Sequence, residues 1–307
     1  MCMTHALDQF LGSHHGERGH TTDSTDQPVR ARRPSRTTAF AERGARNDRA
    51  VRRSGAADRS RRRDPVRRLG THRVVSLAAQ SGGPICQDRA VALGELLASG
   101  RDADVFAIGG GRVLRRYRDG CDTKPEAALM EYLHSCGYPV PRVFDASGPD
   151  LVMERVDGPT MLRALVAHDI TEEAAGNMLA DLHKALHRLP PHTSKGAGTR
   201  VIHLDLHPDN VLLGATGPVV IDWRNAREGS PDLDVALSAV IMAQAAVNDA
   251  RTEHAVRVLL AAFLAAAEAE PAIALDAAIE MRGGDPNLSD AEVDQVAKAG
   301  MLVREFI

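Results

Sequence analysis

The sequence predicts an α+β fold, with a small antiparallel β-sheet and one helix in the first half and mostly helices in the second. Three observations predict it. Residues 96–118 alternate apolar and polar side chains around a run of glycines, which is typical of antiparallel strands. Helical periodicity dominates residues 169–189 and the alanine-rich residues 243–267. Between these helical stretches, three short apolar runs flank acidic and amide residues, as strands do when they hold a polar loop.

The predicted sheet starts in L-L-A-S-G-R-D-A-D-V-F-A-I-G-G-G-R-V-L-R-R-Y-R. Residues 109–111 are three glycines between strand-like runs, so we interpret them as a hairpin tip. Such a run also suits phosphate binding, but neither G-x-G-x-x-G nor a following G-K-[ST] accompanies it. In the second run, strand alternation places Val113 and Arg115 on one face and Leu114 and Arg116 on the other.

Two helices are predicted on either side of residue 157. Glu126 opens E-A-A-L-M-E-Y-L, in which Leu129, Met130 and Leu133 share one side. Residues 169–189 form an amphipathic pattern that two prolines end. We expect the second helix to pack beneath the polar loop.

The most informative stretch contains V-I-H-L-D-L-H-P-D-N-V-L-L and, further on, V-V-I-D-W. His203, Asp205 and Asn210 follow the pattern H-x-D-x-x-x-x-N, and Asp222 comes twelve residues after the asparagine. A hydroxyl that attacks a phosphate needs an acceptor for its proton, and the phosphates need a divalent metal held by oxygen ligands. Asp205 suits the first role, and Asn210 and Asp222 suit the second. Taken singly, each acid is equally well explained as a surface loop residue and His203 as a core histidine.

These motifs resemble the aminoglycoside phosphotransferase and choline kinase family, whose fold is protein-kinase-like with two lobes. The resemblance implies that Asp205 is the catalytic base and His203 a part of the same catalytic loop. It implies that Asn210 and Asp222 hold Mg²⁺. It also implies that S-P-D-L-D-V-A begins a helix, where Asp234 braces the catalytic loop through backbone hydrogen bonds.

The resemblance further implies a nucleotide-binding lobe upstream. The loop over residues 99–104, which includes Gly100, is expected to cover the phosphates with its backbone N–H groups. Arg115 stands where the family has a phosphate-binding lysine, and Glu126 has the position of that lysine's ion-pair partner. Arginine keeps the positive charge and offers a bidentate fork. The alternative is an ordinary solvated charge pair.

The segment L-V-M-E-R-V-D-G resembles the hinge of the same family. A hinge binds adenine through backbone groups, so the carbonyl of Glu154 and the N–H of Val156 are the expected contacts. Met153 is the expected apolar residue at the back of the adenine site. Plain core packing is the alternative for Met153.

Charge divides the chain into three predicted regions. Residues 1–75 carry 17 arginines against 8 acidic residues and few large apolar side chains, which predicts a disordered extension. Residues 76–156, with 9 basic and 11 acidic residues, are the predicted nucleotide-binding lobe and hinge. Residues 157–307, with 12 basic and 22 acidic residues, are the predicted helical lobe with the catalytic loop and the acceptor site.

Composition also bears on partners. The arginine-rich extension is the one candidate for nucleic-acid binding, but it has only Phe10 and Phe40 as aromatic residues and no stacking platform. We therefore favour a dispensable tail. The acidic last region favours a cationic acceptor, because a cleft of one charge concentrates ligands of the other. Acids that keep alanine-rich helices in solution are the alternative.

The cysteines, at positions 2, 86, 121 and 136, show neither C-x-x-C nor a compact disulfide spacing, which favours reduced thiols in a cytoplasm. No apolar run approaches the roughly 20 residues that span a bilayer, and the N-terminus lacks a secretion signal. We expect a cytoplasmic protein without a membrane partner.

The sequence thus predicts an enzyme, an ATP-dependent and Mg²⁺-dependent kinase that moves the γ-phosphate to a hydroxyl of a small molecule. Aminoglycosides, choline-like amines and amino alcohols are the expected acceptors. Protein substrates are not expected, since the sequence shows no A-P-E segment and no long activation loop. Trp223 and Arg224 replace the Phe and Gly of D-F-G, which argues against activation-loop switching. The alternative is a weak or inactive nucleotide-binding regulator with a basic arm, because Arg115 replaces the lysine.

Overall fold

The computed structural model describes residues 93–194, 196 and 198–307. The predicted arginine-rich extension over residues 1–75 lies outside the described residues. The first half of the described chain is a five-stranded antiparallel sheet with strand order β1-β2-β3-β5-β4. Its strands are β1 (Leu96–Ser99), β2 (Ala103–Gly109), β3 (Arg112–Tyr117), β4 (Val143–Ser147) and β5 (Asp150–Glu154).

The predicted hairpin between β2 and β3 is present. All three glycines at residues 109–111 have positive φ, at 76°, 61° and 67°, a conformation that glycine adopts without strain. The turn therefore requires these glycines for the backbone. Helix α1 (Lys124–Ser135) follows β3 and begins two residues before the predicted start at Glu126. Its buried side carries Ala127, Met130 and Leu133.

Two small antiparallel pairs support the predicted polar loop. Strand β6 (Arg200–Ile202) pairs with β9 (Arg227–Gly229), and β7 (Val211–Gly214) pairs with β8 (Gly217–Val220). The three apolar runs that predicted strands here are thus confirmed as β6, β7 and β8. Between the strands, short 3-10 turns cover residues Pro208–Asn210 and Trp223–Asn225.

Six further helices form the second half of the described chain. Helix α4 is buried around most of its circumference and packs against α5, α6 and α7, while α3 packs against α5. The alanine-rich stretch is two helices, because the chain turns at residues 249–252 between α4 and α5. The helices are α2 (Met161–Val166), α3 (Glu172–His187), α4 (Pro231–Asn248), α5 (Glu253–Ala266), α6 (Pro271–Gly283) and α7 (Asp290–Arg304).

Polar side chains mark where several of these helices begin. Thr171 Oγ1 accepts a hydrogen bond from the Ala174 N–H at the start of α3, and Ser230 does the same for Asp232 at the start of α4. Ser289 and Glu292 form a reciprocal capping box at the start of α7. The Thr171 contact fixes the start of the predicted amphipathic helix. This helix covers Glu172–His187, inside the expected range of 169–189.

The linker after β5 lies directly on β7. A side chain at Gly158 would meet the Leu213 carbonyl oxygen at 2.1 Å, so only glycine fits this approach. The Leu213 N–H donates to the Pro159 carbonyl at 2.9 Å, and Thr160 bridges to Leu212. The linker therefore joins the sheet to the strands of the polar loop. In the described part of the chain, no helix is both long and apolar enough to cross a membrane.

Candidate active site

Two of the predicted site residues, Asp205 and Asp222, line one cavity of about 610 Å³. Asp205 follows β6 and Asp222 follows β8, so two neighbouring strand ends deliver the two carboxylates. Leu204 and Asp222 both have left-handed backbone conformations, with φ of 65° and 68°. Such conformations are strained in residues other than glycine and cluster at functional sites.

Asn210 is buried beside Asp205. Its Nδ2 donates to the Asp205 carbonyl at 2.8 Å and to Asp205 Oδ2 at 3.2 Å. Its own carbonyl accepts the N–H of Ile221 at 3.0 Å, which places Asn210 next to the residue before Asp222. The structure therefore brings the three residues of the predicted constellation together.

The pKa of Asp205 is shifted towards neutrality. Burial, and after it the negative charge of Asp222, raises the pKa of Asp205 to about 6. His207 Nε2 lies 3.7 Å from Asp205 Oδ1, and burial lowers the pKa of His207 to about 3, so this imidazole is neutral. A carboxylate with a pKa near the working pH suits proton transfer.

Arg115 contacts Asp222 more closely than it contacts Glu126. Its Nη2 is 2.6 Å from Asp222 Oδ1, whereas its Nη1 is 4.0 Å from Glu126 Oε1. Glu126 accepts a hydrogen bond from the Tyr117 hydroxyl at 2.7 Å. Burial works to raise the pKa of Asp222, but the Arg115 guanidinium outweighs it and lowers that pKa to about 2. Asp222 is therefore an anion held by a buried cation.

His203 lies behind the cavity and is fully buried. Its Nε2 lies 3.0 Å from the Ile221 carbonyl, and its Nδ1 accepts the Asp205 N–H at 3.2 Å. These contacts assign the tautomer with the proton on Nε2. Its ring also packs against Trp223, with ring centroids 4.6 Å apart. His203 thus links the backbones around Asp205 and Asp222 and does not line the cavity.

Asp234 braces the catalytic loop, as the resemblance implied. Its Oδ1 accepts the Leu204 N–H at 2.7 Å, and both carboxylate oxygens lie 3.1 Å from the His203 N–H. Burial works to raise the pKa of Asp234, but His183 and His187 lower it well below its usual range. These two histidines were not singled out in the sequence, although their i, i+4 spacing on a helix was a visible signal.

The predicted phosphate loop is the turn between β1 and β2. The N–H of Gly100 donates to the Ala103 carbonyl at 2.9 Å, so this particular group is already engaged. Arg118 closes the turn from beneath, with bonds to the carbonyls of Gly100 and Arg101 at 2.6 and 3.0 Å. Arg101 and Asp102 line the same cavity as Asp205, so the turn borders the catalytic residues.

The predicted hinge residues lie at the end of β5 and just beyond it. Met153 is 9% exposed and pairs with Val113 in the sheet. The Glu154 N–H donates to Arg142, and the Arg155 N–H donates to Gly111, both within the sheet region. In the described residues, the Val156 N–H makes no backbone hydrogen bond. Glu154 and Val156 do not line the cavity that holds Asp205.

The cavity wall contains arginines that no sequence pattern had indicated. Arg101, Arg224, Arg227 and Arg282 line the cavity together with five aspartates. Arg224 forms an ion pair with Asp119, and Arg282 lies 3.0 Å from Asp285. No local motif signals these residues, because they come from the turn between β1 and β2, a 3-10 turn, a strand and a helix that only the fold brings together. The wall carries both charges and is not the uniformly acidic surface that a cationic acceptor favours.

The residues expected to hold Mg²⁺ have the right chemistry for it. Asn210 and Asp222 offer an amide and a carboxylate oxygen, the hard ligands that this ion prefers. Among the described residues, Asn210 Oδ1 and Asp222 Oδ2 accept no hydrogen bond, so both remain free for a ligand. The donor set fits the predicted ion.

A small antiparallel sheet, a helical lobe and an H-x-D-x-x-x-x-N loop between them are the features of a kinase-like phosphotransferase. The sequence matches the profile of the phosphotransferase enzyme family over residues 94–198 and 188–275, and the chain belongs to this family. The predicted family and fold class are thus confirmed. No curated protein matches the sequence.

Several solved structures are similar to this one. The ADP-bound aminoglycoside phosphotransferase APH(2'')-Ib is 16% identical, with a TM-score of 0.46 over 71% of this chain and 96% of that chain. A choline/ethanolamine kinase family protein from Mesorhizobium loti is 16% identical, with a TM-score of 0.44 over 69% and 89% of the two chains. The aminoglycoside phosphotransferase APH(3'')-Id from Streptomyces rimosus is 18% identical, with a TM-score of 0.40 over 66% and 89%.

Proposed function

We propose that this protein transfers the γ-phosphate of ATP to a hydroxyl group of a small molecule. The observation that carries the proposal is that Asp205 and Asp222 line one cavity, with Asn210 hydrogen-bonded to Asp205 and the pKa of Asp205 raised to about 6. An acid of this kind beside a metal-binding pair is what phosphoryl transfer to an alcohol requires. Membership of the phosphotransferase enzyme family supports it.

Asp205 acts as the base of the reaction. Its carboxylate accepts the proton of the acceptor hydroxyl as that oxygen forms a bond to the γ-phosphorus. The bond from the γ-phosphorus to the bridging oxygen breaks, and ADP leaves. His203 is a positioning residue, because it holds the backbone N–H of Asp205 and the carbonyl of Ile221.

Asn210 and Asp222 hold Mg²⁺, which when bound neutralises charge on the phosphate oxygens. Arg115 supplies a second positive charge to the same region, and its ion pair with Asp222 keeps it in place. The turn that contains Gly100 covers the phosphates through backbone N–H groups other than that of Gly100, which is bonded to Ala103. Glu126 lies 4.0 Å from Arg115 and adds a second negative charge beside it. Adenine binds at the hinge against the Glu154 carbonyl, the Val156 N–H and the Met153 side chain.

The charges of the cavity wall bear on the identity of the acceptor molecule. The cavity wall combines four arginines with five aspartates, so its lining suits a polar, hydroxyl-rich molecule and does not by itself select a cation. A cationic acceptor, such as an aminoglycoside or an amino alcohol, still has support from the acidity of residues 157–307.

A second candidate is a nucleotide-binding regulator with little or no transfer activity. The contact that favours it is the 2.6 Å ion pair between Arg115 and Asp222, since a guanidinium in this place competes with Mg²⁺ for Asp222 Oδ1. The presence of Asp205 and Asn210 favours an active phosphotransferase over this regulator.

The proposal is tested by incubating the purified protein with Mg²⁺, ATP and a panel of hydroxyl compounds. The panel contains aminoglycosides, choline, ethanolamine, homoserine and neutral sugars, and mass spectrometry detects an added phosphate. We expect one product that Asp205→Asn does not form and that Asp209→Asn does form, because Asp209 is in the same loop but does not line the cavity. Saturable ATP binding without a product from any compound would favour the regulator.

A further inference from the structure

A second cluster of ligating side chains lies on the far side of Asp234 from the catalytic loop. His183 and His187 are four residues apart on α3, so they share one face of that helix. His187 Nε2 is 2.9 Å from Asp234 Oδ2, and His183 Nδ1 is 3.4 Å from the same oxygen. One ligand atom from each of the three residues lies within 4.8 Å of the other two.

One of these atoms has no hydrogen-bond partner. His183 is 1% exposed, and its Nδ1 makes no hydrogen bond with any described residue despite facing the Asp234 carboxylate. Its other ring nitrogen, Nε2, lies 3.2 Å from Ser238 Oγ. If Nε2 donates to Ser238, Nδ1 presents a lone pair to a carboxylate, which is unfavourable unless a cation lies between them. Buried polar atoms are nearly always satisfied, so this one points to a missing partner.

The spacing of the cluster matches that of metal ligands. Zn²⁺ binds histidine nitrogen and carboxylate oxygen at about 2.0–2.2 Å in a tetrahedral arrangement, which separates neighbouring ligand atoms by roughly 3.3 Å. The separations of 2.9 and 3.4 Å lie on either side of this value.

We propose that His183 Nδ1, His187 Nε2 and Asp234 Oδ2 bind one Zn²⁺ ion at a site separate from the catalytic centre. Two nitrogens and one oxygen favour a transition metal over Mg²⁺, which prefers oxygen ligands alone. Ser238 orients His183 through the opposite ring nitrogen, as the outer partners of metal-binding histidines do.

A cavity of about 690 Å³ gives the ion a path in and a fourth ligand position. Its wall contains His183, His187, Gly229 and Ser230, and a water molecule there completes the tetrahedron. Only Oδ2 of Asp234 takes part in the cluster. Oδ1 continues to hold the Leu204 N–H at 2.7 Å, so the ion ties α3 to the catalytic loop through one carboxylate.

The test uses the full chain, stripped with EDTA and then equilibrated with Zn²⁺ in excess Mg²⁺. Bound zinc per chain is measured by mass spectrometry of the metal for wild type, His183→Gln, His187→Gln and the exposed control His134→Gln. We expect wild type and His134→Gln to hold one more equivalent than the other two variants. The difference is measured so that any zinc held by other histidines and cysteines of the chain cancels between the proteins. Asp222→Asn, which alters the predicted Mg²⁺ site, is expected to keep the equivalent.

A second measurement does not depend on whether the variants fold. Anomalous diffraction at the zinc edge from wild-type crystals grown with Zn²⁺ locates the ion directly. A peak within about 2.2 Å of all three atoms supports the site. Equal zinc content in wild type and a folded His183→Gln, or no peak between α3 and Asp234, means that a proton and not a metal links these groups, and it overturns the proposal.

Discussion

At the scale of single residues, the surroundings of each side chain in the proposed catalytic loop set its charge. Asp205 and Asp222 are both aspartates that line one cavity, yet the pKa of the first is raised to about 6 and that of the second is lowered to about 2. Arg115 makes the difference, because its guanidinium lies 2.6 Å from Asp222. Two groups with separated pKa values suit two roles, a proton acceptor and a permanent anion.

These roles predict different defects for matched substitutions. Asp222→Asn is expected to abolish Mg²⁺-dependent nucleotide binding, because the ion loses its charged ligand. Asp205→Asn is expected to bind ATP normally and to lose roughly 10²- to 10⁴-fold in turnover, the usual contribution of a general base. Calorimetric titration with ATP, with and without Mg²⁺, and a turnover assay separate the two. Unchanged transfer in either variant contradicts the assignment.

The buried histidines predict how stability depends on pH. Burial lowers the pKa of His183, His203 and His207 in the folded protein, whereas unfolded histidine titrates near 6.5. Below that pH the unfolded chain binds protons that the folded chain does not bind, so the stability of the folded state falls as pH falls. Asp205 contributes in the opposite direction, because its raised pKa lets the folded state bind a proton before the unfolded state does. This gain in stability offsets the loss from one of the three histidines.

We therefore expect the melting temperature, measured by calorimetry in EDTA, to fall steadily between pH 7 and pH 5. Each proton that the unfolded chain binds and the folded chain does not lowers the free energy of unfolding by about 1.4 kcal/mol per pH unit. His207→Gln is expected to flatten the dependence, and the exposed His134→Gln is expected to leave it unchanged. A melting temperature that is constant or rises over this range would show that the imidazoles are not held neutral.

At the scale of elements, close packing between α3 and α5 outweighs intrinsic helix propensity at one position of α3. Gly176 lies in the middle of α3, where glycine costs about 1 kcal/mol relative to alanine. A side chain there would meet the Leu259 carbonyl oxygen at 2.5 Å and the Phe263 nitrogen at 2.9 Å on α5. The close approach of these two helices therefore depends on a residue that weakens α3 by itself.

Gly176→Ala is expected to destabilise the protein by on the order of 1–2 kcal/mol, because the overpacking exceeds the gain in helix propensity. Gly283→Ala is the matched control. It is also helical, but a side chain there has nothing within 4 Å, and it is expected to be neutral or slightly stabilising. Chemical denaturation of the three proteins measures both effects. Equal or greater stability of Gly176→Ala would show that α3 and α5 are free to move apart.

At the scale of the whole molecule, one large apolar cluster forms the core of the described residues. The large apolar cluster runs from Val113 to Val303 and includes Trp223 at its centre, beneath the catalytic loop. The sequence of residues 1–75 has too few apolar side chains to extend this core.

Deleting residues 1–75 is accordingly expected to leave turnover and melting temperature nearly unchanged. The measurement is a comparison of the shortened and full chains in the same transfer assay and the same thermal scan. Loss of several degrees in melting temperature would mean that the extension packs on the core. Loss of nucleic-acid binding at low salt, with the melting temperature retained, would assign the arginines to that partner.

The sequence by itself determined the catalytic loop and most elements around it. His203, Asp205, Asn210 and Asp222 are close in sequence and lie between short apolar runs, so local spacing was enough to predict their strands and their meeting. The hairpin at residues 109–111 and the helices over Lys124–Ser135 and Glu172–His187 also followed from local pattern. The ends of the helices differed by a few residues, because capping side chains such as Thr171 set them.

Only the tertiary structure decided which distant groups meet. Arg115 forms a 2.6 Å ion pair with Asp222 in addition to the expected pair with Glu126, which is longer at 4.0 Å. His203 does not line the cavity, whereas four arginines do. The pairing of His183 and His187 with Asp234 likewise joins α3 to α4. Periodicity tells which face of an element is buried, but not which element covers that face. Contacts between charged groups far apart in sequence depend on that packing, and no local pattern encodes them.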